Sequence, residues 1–300
     1  MAERDLLAVR DLSPDDIRRV VDRAKARAFG RVLSGKNVGL FFEKSSTRTR
    51  VSFEVAINQL GGHAVFLPAQ EIQLGRGETI ADTARVLSRY LDALVVRTFG
   101  QDRIEEWARW ATIPVINGLT DAHHPCQILA DLLTIDAAKG RLKGVVLGYV
   151  GDGNNVAHSL LEGCALTGMT CRIAAPEGYQ PEADIVKWAT VCAAKHGGAV
   201  QIGTDPRAAV RGADVVYTDV WTSMGQEAES RKRLAVFRPY QLNDTLLGLA
   251  KPDAIVMHCL PAHRGEEITD EVMESPRSVV FDQAENRLHA QKAILELVLG

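Results

Sequence analysis

Two hydrophobic periods alternate along this chain, one typical of strands and the other of helices. The segment at 37–42 (NVGLFF) is a short apolar run, as expected for a buried strand. The apolar residues that follow it are spaced i, i+3, i+4, i+7, which predicts one face of a helix: Phe53, Ala56, Ile57 and Leu60. Gly61 and Gly62 come next and are expected to end this helix.

The same alternation continues to residue 299. Further strand-like runs are predicted at 63–67, 92–99, 113–118, 145–150, 170–176, 199–203, 214–221 and 254–261. Helical patterns are predicted at 104–111, 126–140, 156–168, 181–196, 206–212 and 284–299. Strands that alternate with helices indicate parallel sheets, and the pattern starts afresh after Gly140. We therefore predict an α/β protein of two parallel-sheet α/β domains, bridged by the helix near 125–139.

Composition and charge exclude some classes of partner. Of the 300 residues, 46% are hydrophobic and 24% charged, and the formal net charge is −3. Such a charge gives no overall positive field to attract nucleic acid or an anionic membrane, so any anion site must be built locally. No apolar run is long enough to cross a bilayer, and residues 1–16 lack a signal-peptide core. We expect no nucleic-acid or membrane partner.

The cysteines are irregularly spaced and include no C-x-x-C pair: Cys126, Cys164, Cys171, Cys192 and Cys259. This spacing favours reduced thiols over disulfides or a zinc site. A cytoplasmic protein is therefore expected.

The most informative polar segment is SSTRTR at 45–50, between a predicted strand and a predicted helix. Hydroxyl groups at this position can cap the first helical turn, whose N–H groups and dipole also attract anions. Arg48 adds a forked, permanently charged donor that suits phosphate. A single hydroxyl residue would indicate only a helix cap, but the crowded segment favours a phosphate site.

A second polar motif, HHPCQ at 123–127, opens the next long helix. His124 can donate a hydrogen bond to a carbonyl group, and Gln127 offers both a donor and an acceptor. The two residues are three positions apart, so they can converge on one small ligand. Taken alone, the motif is more typical of a helix cap.

The segment GDGNN at 151–155 follows a strand and precedes a helix, as in a dinucleotide-binding turn. The third glycine of that fingerprint is missing, and no acidic residue clearly ends the next strand. Nicotinamide binding is therefore the less favoured interpretation. Asn154 and Asn155 fit a polar ligand at the end of the strand better.

Two later strands end in polar or reactive groups. Asp219 follows one of them, where its carboxylate could hold an ammonium group. Cys259 ends the other, and Pro261 interrupts regular structure there and leaves backbone carbonyls able to accept hydrogen bonds. A capping aspartate and a buried cysteine are the commoner roles of such residues, and no conventional nucleophile–base pair stands out.

Eight short motifs follow one another over nearly the whole chain: STRTR at 46–50, EIQLGRGE at 71–78, RTFGQ at 97–101, HPCQ at 124–127, GDGNN at 151–155, DVWTSMG at 219–225, HCLP at 258–261 and ENRLHAQKA at 285–293. Each is weak alone, but the ordered set is specific. Together they resemble the aspartate/ornithine transcarbamoylase family, and within it the ornithine carbamoyltransferases.

The resemblance implies transfer of the carbamoyl group of carbamoyl phosphate to the δ-amine of L-ornithine, which gives L-citrulline and phosphate in arginine metabolism. It implies no metal and no organic cofactor. It implies a carbamoyl-phosphate-binding domain at 1–135, on which the C-terminal helix at 284–300 packs back, and an ornithine-binding domain at 136–283. It also implies a homotrimer with sites shared between subunits, able to join larger assemblies.

The same resemblance implies the site residues. Carbamoyl phosphate would be held by Ser46, Thr47, Arg48, Thr49, Gln73, Arg97, His124, Gln127, Cys259, Leu260 and Arg287. Ornithine would be held by Asn155, Asp219, Ser223 and Met224. The catalytic residues would be Arg97, His124 and Cys259. Gln73 would reach across from a neighbouring subunit, and the carbonyls of Cys259 and Leu260 would accept from the carbamoyl NH₂.

Alternatives stay open at this point. A carbamoyltransferase acting on another amine such as putrescine would share most of these motifs. Aspartate carbamoyltransferase would hold a dicarboxylate with basic residues in place of DVWTSMG and HCLP. A dinucleotide-dependent oxidoreductase and a non-catalytic ligand-binding relative belong to other classes. Absorbance of bound nicotinamide or thermal stabilisation by NAD would favour the first, and turnover would exclude the second.

Overall fold

The structure is a computed structural model that describes residues 5–222 and 230–300. Its internal contacts divide the chain into two compact units. The first takes in the chain up to Leu133 together with Asn286–Gly300, and the second is Thr134–Glu285. Each unit is a parallel α/β sheet with helices, as the alternating pattern predicts.

The sheet of the first unit has four parallel strands: β1 (Asn37–Phe42), β2 (His63–Pro68), β3 (Ala93–Arg97) and β4 (Val115–Leu119). Their order is β2-β1-β3-β4. Its helices are α1 (Pro14–Ala26), α2 (Thr47–Gln59), α3 (Ile80–Leu87) and α4 (Gln101–Trp110), with short 3₁₀ helices at Val9–Asp11 and Gln73–Arg76. The helix α5 (Pro125–Lys139) begins in this unit and ends in the second.

The sheet of the second unit has five parallel strands: β5 (Val146–Val150), β6 (Thr170–Ala174), β7 (Ala199–Gly203), β8 (Val215–Thr218) and β9 (Ile255–Met257). Their order is β7-β6-β5-β8-β9. Its helices are α6 (Asn155–Thr167), α7 (Ala183–His196), α8 (Pro206–Val210), α9 (Ser230–Phe237), α10 (Asp244–Leu247) and α11 (Asp270–Met273), with a 3₁₀ helix at Arg238–Tyr240.

The last helix, α12 (Val280–Leu299), starts in the second unit and ends in the first. Arg23 on α1 donates to Glu296 over 2.8 Å, and the ammonium of Lys36 donates to the carbonyl of Leu299 over 2.6 Å. The prediction that the C-terminal helix packs on the N-terminal domain is therefore confirmed. Together, α5 and α12 are the bridging helices.

The helix predicted after β1 has the predicted buried face. Phe53, Ala56, Ile57 and Leu60 are all fully buried. Gly61 follows with a φ of 87°, in the left-handed region where glycine carries no steric penalty, and this ends the helical turn.

Helix α1 was not predicted, although its signals are present in the sequence. Ser13 caps it with Asp16 in a reciprocal capping box, and Pro14 occupies its first turn. Its buried face has the same helical spacing as that of α2: Ile17, Val20, Val21 and Ala24. The shorter helices α3, α9, α10 and α11 were not predicted either.

Each sheet has a point at which the chain changes direction across it. In the first sheet the chain runs outward from β1 to β2, then returns to β3 on the other side of β1. In the second it runs from β5 through β6 to β7, then returns to β8 beside β5. Ligands of parallel α/β sheets bind beyond the carboxyl ends of the strands at such points.

Among the described residues, no helix is both long enough and apolar enough to cross a membrane.

Candidate active site

In the first unit, the predicted phosphate segment begins α2, directly after β1. The hydroxyl of Ser46 accepts a hydrogen bond from the Thr49 N–H over 3.3 Å and so caps the helix. Thr47 and Arg48 occupy the exposed first turn, whereas Thr49 is fully buried. The first turn also holds N–H groups that have no acceptor within the helix, which makes it an intrinsic anion-binding feature.

The hydroxyl of Thr49 is where three of the predicted residues meet. Arg287 donates to its Oγ1 over 2.9 Å, Arg97 over 3.5 Å, and the Ser46 hydroxyl over 3.1 Å. Arg97 is the last residue of β3 and Arg287 lies on α12, so the sheet and the C-terminal helix bring them together. Three segments far apart in sequence thus converge on one hydroxyl group.

Both arginines are buried at this point, with 7% of Arg97 and 3% of Arg287 exposed. Burial of two like charges near one another is unfavourable unless an opposite charge compensates them. The positive charges and forked donors of these arginines at the start of α2 suit a bound dianion.

His124 precedes α5, and its carbonyl accepts hydrogen bonds from the N–H groups of Gln127 and Ile128 over 3.1 and 3.3 Å. Its side chain is buried. Burial and the positive charges of Arg287, Arg97 and Arg48, in that order, lower the pKa of His124 well below its usual value. At neutral pH the ring is therefore neutral and can donate one hydrogen bond without carrying charge.

We expect this shift to make the protein less stable in mild acid. An unfolded histidine has a pKa of about 6.5, so below that pH the unfolded chain binds a proton that folded His124 does not. Stability therefore falls as pH falls, by up to about 1.4 kcal/mol per pH unit from this group. His124→Asn should reduce the loss between pH 7 and 5.5 in urea unfolding. Equal slopes in this variant and in the wild type would contradict the assignment.

Gln127 is held in one orientation by Asp131, one helical turn further along α5. Its Nε2 donates to Asp131 Oδ1 over 2.9 Å, and both side chains are buried. The reverse amide orientation would bring two oxygens together, so the carboxylate fixes it. The Oε1 atom of Gln127 accepts no hydrogen bond from the described residues. It is thus a buried acceptor available to a ligand.

One carbamoyl-phosphate residue predicted in this unit does not join the hydrogen bonds at Thr49. Gln73 begins the 3₁₀ helix Gln73–Arg76 and is exposed. Within the described part of the chain, no hydrogen bond joins its side chain to Thr49, Arg97 or His124.

In the second unit, Asp219 follows β8 and is 4% exposed. Its Oδ1 accepts from the Cys259 thiol over 3.0 Å, and its Oδ2 accepts from Asn154 Nδ2 over 2.8 Å. These residues follow β8, β9 and β5, so three neighbouring strand ends meet at one carboxylate. Asn155, predicted to bind ornithine, is the first residue of α6.

The sequence pattern indicated both asparagines of GDGNN, and the family resemblance singled out Asn155. In the structure it is Asn154 whose side chain caps α6 through its oxygen and contacts Asp219 through its nitrogen. The GDGNN motif indicated an asparagine at the end of β5, but it could not show which of the two asparagines contacts the Asp219 carboxylate. Ser223 and Met224, also predicted to bind ornithine, lie outside the described residues.

A buried ion pair that sequence reasoning missed lies beside Asp219. Arg233 on α9 pairs with Asp152, and its Nε donates to the carbonyl of Trp221 over 2.6 Å. Burial raises the pKa of Asp152 to about 6, although Arg233 opposes the shift and Asp219 adds to it. At neutral pH Asp152 is therefore ionised and paired. No local pattern links residues so far apart in sequence.

The glycines of GDGNN have local explanations that do not involve a dinucleotide. Gly151 has a φ of 142°, which side chains rarely adopt. A Cβ on Gly153 would lie 2.3 Å from the backbone nitrogen of Pro181, so packing excludes any side chain there. The fingerprint-like spacing follows from this turn, and the alternative of nicotinamide binding has no support from it.

Two groups of side chains bring potential metal ligands within 4.8 Å of one another in the described residues: Asp219, His258 and Cys259, and His263, Glu266 and Glu267. In the first group both ring nitrogens of His258 are hydrogen-bonded, to Glu267 and to the Leu260 N–H. In the second, Glu267 already binds His258 and the His263 N–H. Hydrogen bonds within the protein therefore already involve most of these potential metal-binding atoms.

Comparison with known families matches both units. Residues 4–137 match the family model described as "Aspartate/ornithine carbamoyltransferase, carbamoyl-P binding domain". Residues 143–298 match the model described as "Aspartate/ornithine carbamoyltransferase, Asp/Orn binding domain".

Individual relatives match over nearly their whole length. The anabolic ornithine carbamoyltransferase of Pyrococcus furiosus is 56% identical over 100% of this chain and 98% of the relative. The ornithine carbamoyltransferase of Bacillus subtilis is 55% identical over 99% of this chain and 94% of the relative. Among solved structures, the Pyrococcus furiosus enzyme aligns with a TM-score of 0.96 at 56% identity, covering 100% of this chain and 98% of that one. The chain therefore belongs to the aspartate/ornithine carbamoyltransferase family.

Proposed function

We propose that this protein transfers the carbamoyl group of carbamoyl phosphate to the δ-amine of L-ornithine, giving L-citrulline and phosphate. The observation that carries the proposal is the convergence of Arg97 and Arg287 on the Thr49 hydroxyl at the start of α2. That arrangement suits a phosphate dianion. The ornithine enzymes among the relatives support the choice of acceptor.

On the phosphate side, Ser46, Thr47, Arg48 and Thr49 would bind the phosphoryl oxygens through the first turn of α2. Arg97 and Arg287 would neutralise the charge that grows on phosphate as it leaves. Because both guanidinium groups are already fixed on Thr49, they would need little reorganisation when the bond breaks.

At the reacting carbonyl, neutral His124 and Arg97 would donate to the oxygen, on which negative charge develops as the amine attacks. Gln127 Oε1 would accept from the carbamoyl NH₂, together with the backbone carbonyls of Cys259 and Leu260. No covalent nucleophile from the protein is needed, because the substrate amine attacks directly. Binding both substrates in the correct orientation would itself lower the barrier by several kcal/mol.

For the acceptor, Asp219 would pair with the α-ammonium of ornithine, while Asn155, Ser223 and Met224 would contact the rest of the amino acid. Asn154 and the Cys259 thiol already orient the Asp219 carboxylate. Such a fixed carboxylate is suited to select an amino acid over a simple amine. Cys259 would also lie near the attacking amine, which must arrive deprotonated.

We propose that residues 1–135 with the helix at 284–300 form the carbamoyl-phosphate-binding domain, and that 136–283 form the ornithine-binding domain. The description "anabolic" given to the Pyrococcus furiosus relative supports a role in arginine biosynthesis. A cytoplasmic location is supported by the five cysteines, all of them free thiols.

A citrulline assay with carbamoyl phosphate and a panel of amines tests this function. Ornithine should be used, whereas putrescine, N-acetylornithine and aspartate should be poor acceptors, because they lack the α-amino acid group or carry the wrong charge. Comparable turnover of putrescine would move the assignment to another carbamoyltransferase. No turnover of any amine would favour a ligand-binding relative.

We further propose a homotrimer in which Gln73 completes the carbamoyl-phosphate site of a neighbouring subunit, and that such trimers can join into larger assemblies. The exposure of Gln73 supports this, as does the lack of a hydrogen bond, among the described residues, from its side chain to Thr49, Arg97 or His124. In a closed three-fold ring the contact is head-to-tail, so each site would take its body from one subunit and its loop from the next.

Mixing two inactive variants tests the shared site. One carries Arg48→Ala and the other Gln73→Ala; each should be nearly inactive alone. If Gln73→Ala retains activity, a deletion across 73–77 replaces it. After dissociation and random reassembly, most rings contain both variants. Each mixed ring then has one site in which an intact Arg48 from one subunit meets an intact Gln73 from its neighbour, so about a quarter of wild-type activity should return. No recovery in mixed trimers verified by mass spectrometry would mean that each site is complete within one chain.

A further inference from the structure

The segment that follows β9 has an unusual backbone that needs support. Leu260 has a φ of 58°, in the left-handed region that a leucine rarely adopts. The preceding residue is Cys259, whose thiol donates a hydrogen bond to Asp219. A small change in the backbone here would move both the thiol and the carbonyl groups of Cys259 and Leu260.

The ring of His258 supports this backbone directly. Its Nδ1 accepts the N–H of Leu260 over 2.9 Å, and its Nε2 contacts Glu267 Oε1 at 3.0 Å. Because Nδ1 accepts a hydrogen bond from an N–H group, it carries no proton. The proton of the neutral ring is therefore on Nε2, which donates a hydrogen bond to the Glu267 carboxylate. The contact with Glu267 therefore selects the tautomer that can hold Leu260.

The rest of the network fixes the ring and its partner. The backbone N–H of His258 donates to Gln283 Oε1 over 2.9 Å, and Gln283 Nε2 donates to the Tyr217 hydroxyl over 3.0 Å. Glu267 also accepts the His263 N–H over 2.6 Å. His258 and Glu267 are both fully buried, so solvent does not compete for these bonds.

We propose that His258, its tautomer set by Glu267, is a positioning residue that holds Leu260 and Cys259 in their reactive arrangement. Through Cys259 it orients Asp219, and through Leu260 it directs the carbonyl groups proposed to accept from the carbamoyl NH₂. The inference rests on the proposed function for the substrates it names. The hydrogen-bond arrangement itself does not depend on that function.

Two substitutions separate the two contacts of the ring. Asparagine places its Oδ1 where Nδ1 lies, so His258→Asn keeps the acceptor for Leu260 but loses the contact with Glu267. Glutamine places its Nε2 where the histidine Nε2 lies, so His258→Gln keeps the donor to Glu267 but leaves the Leu260 N–H without its acceptor. A buried donor without a partner is costly, as is a buried carboxylate that loses its donor.

The proposal predicts opposite orders of activity and stability. At saturating carbamoyl phosphate, kcat/KM for ornithine in His258→Gln should be about tenfold or more below that of His258→Asn. Thermal unfolding should rank them the other way, with His258→Gln the more stable, because Glu267 keeps its partner. A residue that only fills the core would give activity and stability in the same order, and that result would overturn the proposal. The same two changes at half-exposed His263 are the matched control, with activity expected within about twofold of wild type.

Nitrogen NMR of the wild-type protein, labelled at its histidines, tests the tautomer even if a variant fails to fold. His258 should show a protonated Nε2 and an unprotonated Nδ1, with its signals assigned by their loss in whichever variant folds. A proton on Nδ1 would overturn the proposal. Failure of the proposed function appears separately, as wild-type protein that forms no citrulline although its His258 shows the expected tautomer.

Discussion

Replacement of Arg48 by alanine is expected to lower kcat/KM for carbamoyl phosphate by more than about a hundredfold. Arg48 lies in the exposed first turn of α2, next to the Thr49 hydroxyl on which Arg97 and Arg287 converge, and its charge also lowers the pKa of His124. Removing a charged donor from a site that is desolvated when substrate binds costs about 3 kcal/mol or more in the transition state. Steady-state kinetics with carbamoyl phosphate varied measures this loss.

The lysine variant and a neighbouring arginine give the controls. Arg48→Lys should restore little activity, because a point charge cannot reproduce the two parallel bonds of a guanidinium to phosphate. Arg50→Ala should stay near wild type, since Arg50 is exposed, pairs with Glu54 and stacks over Phe66. Near-normal activity of the lysine variant would show that Arg48 is not the main phosphate contact.

Asp219→Asn is expected to raise the KM for ornithine by about a hundredfold and to change carbamoyl phosphate affinity by less than about threefold. The substitution keeps the size of the side chain but removes the charge proposed to pair with the α-ammonium. Calorimetric titration with each substrate separates the two effects.

Asp214 provides a matched control at the opposite end of β8. It is as buried as Asp219, and it binds Lys251 over 2.7 Å and the Val146 N–H over 2.9 Å. Asp214→Asn should lower stability without a selective effect on ornithine. If Asp219→Asn weakened carbamoyl phosphate binding more than ornithine binding, the assignment of Asp219 to the amino acid would be wrong.

The sequence predicted the sheets well because their signals are local. The strand at 37–42 and the buried face of α2 follow from hydrophobic spacing alone, and both are present in the structure. The glycine after α2 also has the left-handed backbone that such a position requires. Motifs with fixed order added the family resemblance, which spacing could not provide.

The partners of the site residues could not be predicted, because they depend on tertiary contacts. Arg287 and Thr49 are 238 positions apart in sequence, and they meet only because α12 packs back on the first unit. The pairing of Arg233 with Asp152 and the contact of His258 with Glu267 likewise need the folded sheet. Helix α1 is different, because its capping box and the spacing of its buried residues are local features that the sequence alone carries.

The most direct test of direct carbamoyl transfer is a labelled reaction. Carbamoyl phosphate labelled with carbon-13 is mixed with ornithine labelled with nitrogen-15 at the δ position, and the product is observed by NMR. Citrulline whose carbamoyl carbon is coupled to the labelled nitrogen, with one phosphate released per citrulline and only background in Arg48→Ala, is the predicted result. The account would be contradicted if phosphate were released without carbon–nitrogen coupling in the product. It would also be contradicted if doubly labelled citrulline formed no faster with enzyme than without it.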